Sequence, residues 1–329
     1  MNRILQKLSP LLWAMVSTLT LSLAPFSLSA QESYPTRPLT LVVGFPPGGP
    51  NDILGRQIAK ALTQRLNQPV EVINQPGDSG NQASAAVAHA KPDGYTLLLI
   101  GPANAINASL FQSLSFNFQR DIVPVGGLTR EALVLVVHPS VPVNTVNEFI
   151  SYAKSGAKIT MASTGKSSSP HVAGLMFNRM AGLQLPIVHF NGGGPALKNM
   201  IEGNTTQMMF EPISAAIEPI KGGKLRALGL TTTNTSTALP NTPPIATFLP
   251  GYEASAVTGI GVPNGTPLEI VVRLNREINA ALTDPSTRIQ FLNSGGEPLA
   301  GSPSEFSELI NSEIKKWGDV LKAAGIKTE

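Results

Sequence analysis

The sequence predicts an α/β protein of two lobes, each a mixed, mostly parallel sheet flanked by helices, with a hinge and a central cleft between them. Three observations predict it. Apolar segments without polar alternation, at residues 41–43 and 95–100, read as strands covered on both faces. The early strands run through Gly/Pro-rich turns into helical segments, the repeat that builds a parallel sheet. Two amphipathic helices, at 267–282 and 304–321, follow the second such block without a sheet of their own, and the first block's sheet is the natural one for them to cover. The lobes are then residues 34–132 together with 255–329, and residues 133–254, with loops at the C-terminal ends of the strands facing the cleft.

The first lobe opens on the stretch 41–56, LVVGFPPGGPNDILGR. Leu41, Val42 and Val43 are strand. Phe45-Pro46-Pro47-Gly48-Gly49-Pro50 cannot continue it, because proline lacks an N–H and glycine favours tight turns. Asn51 or Asp52 then caps a helix with Ile53, Leu54, Ile58, Leu62 and Leu66 as its apolar residues. A glycine loop feeding a helix N-terminus aims free N–H groups and a positive dipole end at one spot, a ready site for an anion. A compact strand-to-helix turn would use the same residues. Residues 69–74 form a second strand, 75–80 a turn, 81–90 an Ala-rich helix and 92–94 another turn before the strand 95–100.

A helix is predicted at 105–114 and a strand at 133–137, ending at His138-Pro139. Thr145 caps a helix to 154, and 159–162 is a strand. A polar loop at 164–169 leads to Pro170 at the first position of a helix through 180. Residues 187–190 are a strand, and Asn191-Gly192-Gly193-Gly194-Pro195 leads into a helix ending near Gly203. Strands at 207–210 and 225–230 enclose a helix at 214–220. After a strand at 257–262, Ile270, Val271, Leu274, Ile278 and Leu282 form one helical face, and Phe306, Ile310, Ile314 and Trp317 another.

Composition narrows the function classes. With 42% hydrophobic and 14% charged residues, the 329-residue chain can bury two ordinary cores. Residues 1–30 have the pattern of a secretory signal: Arg3 and Lys7, an apolar core at 11–23, then Pro25 and small residues. Cleavage after Ser29 leaves Ser27 and Ser29 at the small-residue positions; cleavage after Ala30 puts the bulkier Leu28 upstream. The apolar core is too short and too rich in Ser and Thr for an uncleaved span. Without Arg3 and Lys7, 22 basic side chains stand against 21 acidic ones, which does not suggest nucleic acid or a membrane surface as partner. The absence of cysteine excludes disulfides, thiolate metal sites and a lipid anchor on cysteine. These features point to export into a bacterial periplasm, as a monomer.

No catalytic, metal or cofactor set emerges. Gly165-Lys166-Ser167 imitates the end of a phosphate loop, but Thr160 stands where its first glycine belongs. Gly259, Gly261 and Gly265 have the wrong spacing for a dinucleotide loop, and Pro263 intervenes. There is no GxSxG elbow, and His89, His138, His171 and His189 lack metal-ligand spacing. A device does repeat: the polar loop before the 171–180 helix, with Ser163, Thr164, Ser167, Ser168 and Ser169, is a second loop feeding a helix N-terminus. Hydroxyls and backbone N–H groups bind a carboxylate without a full counter-charge. A solvated loop would also be rich in serine.

The stretches YPTRPLTLVVGFPPGGPNDILGRQIAKAL, QPVEVINQPG, AKPDGYTLLLIGPANAINASLF, PIVHFNGGGPALKNMIEGNTTQMMFEPISAAIEPIKGGKLRALGLTT and KKWGDVLKAAGIK resemble, in that order, the Bug family. These are the periplasmic solute receptors of tripartite tricarboxylate transporters. The resemblance implies a type II periplasmic binding protein fold. It also implies capture of a small organic anion, often a di- or tricarboxylate, aromatic acid or acidic amino acid, for membrane permease subunits. One ligand carboxylate is then held, partly through bridging waters, by Pro47, Gly48, Gly49 and Asp52 and by Ser167, Ser168 and Ser169 ahead of His171. Phe45, Asn51, Asn104, Asn191, Gly192 and Glu211 complete the expected ligand-binding set. Three positions depart from the family pattern. Pro50-Asn51 stands where Gly-Thr or Gly-Ser is usual, and Phe190-Asn191 where an aromatic and a basic residue commonly precede the glycines. Glu211 replaces an Asp; it reaches further and repels a second carboxylate unless that group is absent, protonated or screened, which argues against a tricarboxylate such as citrate. Two other readings stand beside transport: a receptor that signals to a sensor partner, and an exported hydrolase using a serine with His171.

Overall fold

In chain order the elements are β1 (Leu39–Val43), α1 (Pro50–Leu66), β2 (Val70–Asn74), α2 (Asn81–Ala88), β3 (Thr96–Ile100), α3 (Pro102–Leu110), α4 (Phe118–Asp121), β4 (Ile122–Val137), α5 (Val146–Lys154), β5 (Met161–Ser163), α6 (Ser169–Ala181), β6 (Ile187–His189), α7 (Gly193–Glu202), β7 (Met208–Pro212), α8 (Ile213–Lys221), β8 (Arg226–Leu230), β9 (Ser255–Pro263), α9 (Leu268–Thr283), α10 (Pro285–Asn293), β10 (Gly296–Pro298) and α11 (Pro303–Ala323). They come from a computed structural model that describes residues 34–326 apart from 112 and 294. The signal segment expected at 1–30 lies outside the described residues.

The strands run β2-β1-β3-β9-β4-β7-β5-β6, with β8 and β10 also paired to β4. The two sets of apolar strands form parallel nuclei, β2-β1-β3 and β6-β5-β7. The ladders between the nuclei are antiparallel, through β9 and β4. β4 holds the two lobes together. Its residues from Ile122 to Ala132 pair with β9, and those from Leu133 to Val137 pair with β7 and β8. β9 starts at Ser255, opposite Ala132.

The sequence predicted only the last stretch of the 16-residue β4, Leu133 to Val137. The first half contains Pro124, Gly126 and Gly127, which argue against a strand, and the register slips at those positions. A bulge tolerates the proline and bends the strand. The predicted 105–114 helix starts earlier, at Pro102, because Gly101 ends the strand and Pro102 fits the first helical position. α10 and β10 were not predicted; α10 starts at the N–H groups of Ser286 and Thr287, both bonded to the Asp284 carboxylate.

The amphipathic faces land where expected. Val271, Leu274, Ile278 and Leu282 of α9 are buried, as are Phe306, Ile310, Ile314 and Trp317 of α11. Each such side chain contributes about 1.5–3 kcal/mol by leaving water. α11 comes so close to β9 that a Cβ at Gly259 would overlap the Phe306 ring and lie 2.6 Å from the Gly126 carbonyl oxygen. In the other lobe Phe149, Phe177, Phe210 and Tyr252 form an aromatic cluster, and the Tyr252 hydroxyl donates to the Ala173 carbonyl at 3.0 Å.

Candidate functional site

Five helices begin at one cavity of about 330 Å³. Its lining includes Pro50 and Asn51 of α1, Pro102 and Ala103 of α3, and Ser168, Ser169 and Pro170 at the start of α6. Gly192 and Gly193 at the start of α7 and Pro212 at the start of α8 complete the ring. Every helix start leaves unpaired N–H groups and about half a positive charge. Gly49, Gly101, Gly192 and Pro212 offer no side chain to cap theirs. Gly192 sits at φ 102°, a backbone that only glycine adopts freely. An adjoining space of about 420 Å³ shares Pro50, Asn51, Glu131 and Thr258 and runs on past Ile53, Leu54 and Phe291.

The first loop is fixed by Asp52. Its carboxylate accepts from Gly48 N–H at 2.8 Å, Arg56 Nε at 3.0 Å and Asn74 Nδ2 at 2.9 Å. Asn74 also donates to the Phe45 carbonyl at 3.0 Å. The side-chain bond from Arg56 does most to hold the Asp52 carboxyl at a pKa of about 2, against some opposition from burial. With its lone pairs used inside the loop, Asp52 shapes the cradle and leaves the cavity to Asn51.

The second loop is fixed by Ser168 and His171. Ser168 Oγ donates to the Gly165 carbonyl at 2.6 Å and accepts from His171 N–H at 3.3 Å, capping α6. His171 is buried, which brings its pKa down to about 4. The neutral ring places Nδ1 2.8 Å from the Lys166 carbonyl, so Nδ1 carries the proton and donates. Its ring meets the His189 ring edge-on at 4.8 Å, and His189 Nδ1 lies 3.1 Å from Ser163 Oγ. Ser167 Oγ is buried with no hydrogen-bond partner and lines the cavity.

On the opposite wall stand two carboxyls. Glu211, at the end of β7, is buried, which raises its pKa to about 8 with help from the neighbouring Glu131. Glu131, in β4, shows one edge to the cavity; burial of the rest raises it to about 7, although Ser214 Oγ donates to its Oε1 at 2.8 Å.

Of the residues expected from sequence, Phe45, Asn51, Ser167, Ser168, Ser169, Gly192 and Glu211 line the cavity, and Gly48 lines the adjoining space. Pro47, Gly49, Asp52, Asn104, His171 and Asn191 do not. Asp52, Asn104 and His171 lie behind the lining and bond to the backbone of the loops that form it. Asn104 Oδ1 accepts Gly101 N–H at 2.8 Å, and its Nδ2 donates to Ser84 Oγ at 2.8 Å. The exposed Pro47 and Asn191 face solvent, and Gly49 serves as the N-cap of α1. Sequence reasoning missed Ser79, Pro102, Ala103, Glu131, Lys166 and Thr258, which also line the cavity. Gly101-Pro102 after an apolar strand was the available signal for two of them, since it repeats the Gly-Pro start of α1. Among the described residues no group of three or more His, Cys, Asp or Glu could hold a metal ion, and no helix is long and apolar enough to cross a membrane.

Residues 54–326 match the family model TctC, Tripartite tricarboxylate transporter family receptor. The chain belongs to this family. The receptor is 32% identical to Protein BugT of Bordetella pertussis over 300 residues, covering 90% of this chain and 92% of BugT. Among solved structures it is similar to R. palustris Rpa4515 with adipate, at 33% identity and a TM-score of 0.80, over 89% of this chain and 98% of the other. It is also similar to MatC (Rpa3494) from Rhodopseudomonas palustris with bound malate, at 31% identity and a TM-score of 0.76, over 88% and 100%. The receptor therefore has the two-lobed fold of periplasmic binding proteins, as the sequence predicted. The Bug and TctC proteins are periplasmic substrate-binding receptors, and this receptor is not an enzyme.

Proposed function

We propose that the receptor is exported to the periplasm, captures a small carboxylated organic anion and presents it, as a monomer, to the permease subunits of a tripartite tricarboxylate-type transporter. The ligand is a mono- or dicarboxylate, an aromatic acid or an amino acid. The lobes formed by residues 34–132 with 255–329 and by residues 133–254 close on it about the β4 and β9 crossings.

The convergence of five helix N-termini on one cavity carries this reading. A partly buried anion gains up to ~2 kcal/mol at each such terminus. Ser167, Ser168, Ser169 and Asn51 add side-chain donors beside the backbone N–H groups, without the cost of a buried cation. Asp52, Asn104 and His171 keep those donors in place. The adipate and malate held by two relatives support a carboxylate as ligand. Calorimetric titration of the receptor with a panel of organic acids tests the reading. Binding of at least one carboxylate in the micromolar range or tighter is expected, and failure of every carboxylate to bind or to raise the melting temperature overturns it.

A further inference from the structure

The far wall of the cavity is incomplete in charge. Glu211 is only 3% exposed, yet its Oε2 has no hydrogen-bond partner. β4 and β7 run antiparallel here, with Val134 opposite Glu211, which brings Glu131 beside the start of α8 and onto the same wall. Among the described residues neither carboxylate has an ion pair with a lysine or arginine. Arg130 points to the other face of β4, 3.8 Å from Glu253. Lys166 also lines the cavity, but its charge acts on His171 and His189, where it disfavours protonation; the charge acting on Glu211 is that of Glu131. The other groups at this wall are uncharged. Gly193 of α7 leaves room, since a Cβ there would lie 3.2 Å from Glu211 Oε1. The Thr258 hydroxyl of β9 is bonded to Thr129 at 2.7 Å.

A buried and a partly buried carboxylate side by side without a counter-ion are costly. The two carboxyls avoid that cost by holding protons: burial raises Glu131 to about 7, and burial with the charge of Glu131 raises Glu211 to about 8. A ligand cation would remove the need for those protons.

We propose that the Glu131–Glu211 wall is an ammonium subsite, so that the ligand is an amino carboxylic acid whose carboxylate lies at the helix N-termini and whose protonated amine lies between the two glutamates. This rests on the carboxylate-receptor reading above and narrows its ligand class. An ammonium has three N–H donors for the unpartnered Glu211 Oε2 and for Glu131. A second carboxylate brings only acceptors and binds here only while both glutamates keep their protons.

The two cases have opposite proton linkage. An ammonium favours the ionised glutamates, so its binding releases protons and its affinity rises with pH through about 7 to 8. A dicarboxylate favours the protonated glutamates, so it takes up protons and weakens over the same window.

The experiment is calorimetric titration of the receptor near neutral pH, in buffers of different ionisation enthalpy. The probes are α- and ω-amino acids and dicarboxylates and monocarboxylates of matched chain length, with 6-aminohexanoate, adipate and hexanoate as one such trio. An amino carboxylate is expected to bind at least about tenfold more tightly than its matched acids, with net proton release. Glu211→Gln and Glu131→Gln are each expected to cut that preference about tenfold and to reduce the protons released. A dicarboxylate or monocarboxylate that binds as tightly as its amino counterpart, or binding with proton uptake, overturns the ammonium subsite and leaves the receptor reading intact. Absence of binding by every carboxylate overturns both. The wild-type preference and proton count decide the matter even where a glutamine variant does not fold.

Discussion

The carboxylate of Asp52 accepts the backbone N–H of Gly48 at 2.8 Å, four residues back, and so ties the first cradle loop to the helix it feeds. Asp52→Ala is expected to destabilise the protein by about 1–3 kcal/mol, because Gly48, Arg56 and Asn74 all lose a charged acceptor. Part of that loss is moderated by the half-exposed Arg56. Ligand affinity is expected to fall several-fold, although the side chain does not line the cavity. The Asp52 pKa is lowered from 3.8 to about 2, so its contribution is complete above about pH 4 and disappears as pH falls towards 2. Urea midpoints at neutral pH and across that acid window measure both effects; an unchanged acid slope in Asp52→Ala would contradict the assignment.

Ser167 and Ser168 are adjacent but make opposite predictions. Ser168 Oγ caps α6 and bonds the Gly165 carbonyl, so Ser168→Ala should cost about 1 kcal/mol of stability. Ser167 Oγ has no hydrogen-bond partner within the protein, so Ser167→Ala should leave the melting temperature unchanged or raise it. Its effect should fall on ligand affinity, by about tenfold for one lost hydrogen bond to a charged group. Thermal melts and titrations of the two variants, run side by side, check this.

His171 should remain neutral well below the usual histidine range. Its pKa is lowered from 6.5 to about 4 by burial above all. Folding stability that depends on the neutral ring is therefore complete above about pH 6.5 and lost as pH falls towards 4. A histidine-ring NMR titration should show no movement of the His171 signal until below pH 5, near that lowered pKa. His171→Ala should remove this acid slope and loosen the loop held at the Lys166 carbonyl.

The glycines of the crossing strands are expected to be strict. Gly259→Ala forces a methyl onto Phe306 and against the Gly126 carbonyl oxygen. The ring can turn but the backbone of β4 cannot, so a loss of about 1–3 kcal/mol is expected from overpacking. Chemical denaturation of the variant measures it, and wild-type stability would show that α11 can shift away from β9.

What could be read from the sequence follows the range of the physics. α9 and α11 were legible because their apolar faces repeat within the helix. The serine loop and the Pro-Gly loop were legible because backbone restriction is local. The first half of β4 was not, since Pro124, Gly126 and Gly127 become a strand only through partners in β9, more than a hundred residues away. Glu131 was lost with it, as an ordinary charge in a segment given no structure. Asp52 was recognised as part of the loop, but its role depends on Asn74, 22 residues on, which no local pattern reveals. The i, i+4 spacing to Arg56 was the one local sign that its charge was already paired.

β4 has 16 residues and completes both sheets without an intervening loop. Neither half of the molecule can therefore lose its sheet while the other keeps an intact edge. Melting one lobe strips β4 of half its ladder and exposes the next apolar strand. Such a protein has no thermodynamic seam between its lobes and should unfold in one calorimetric transition.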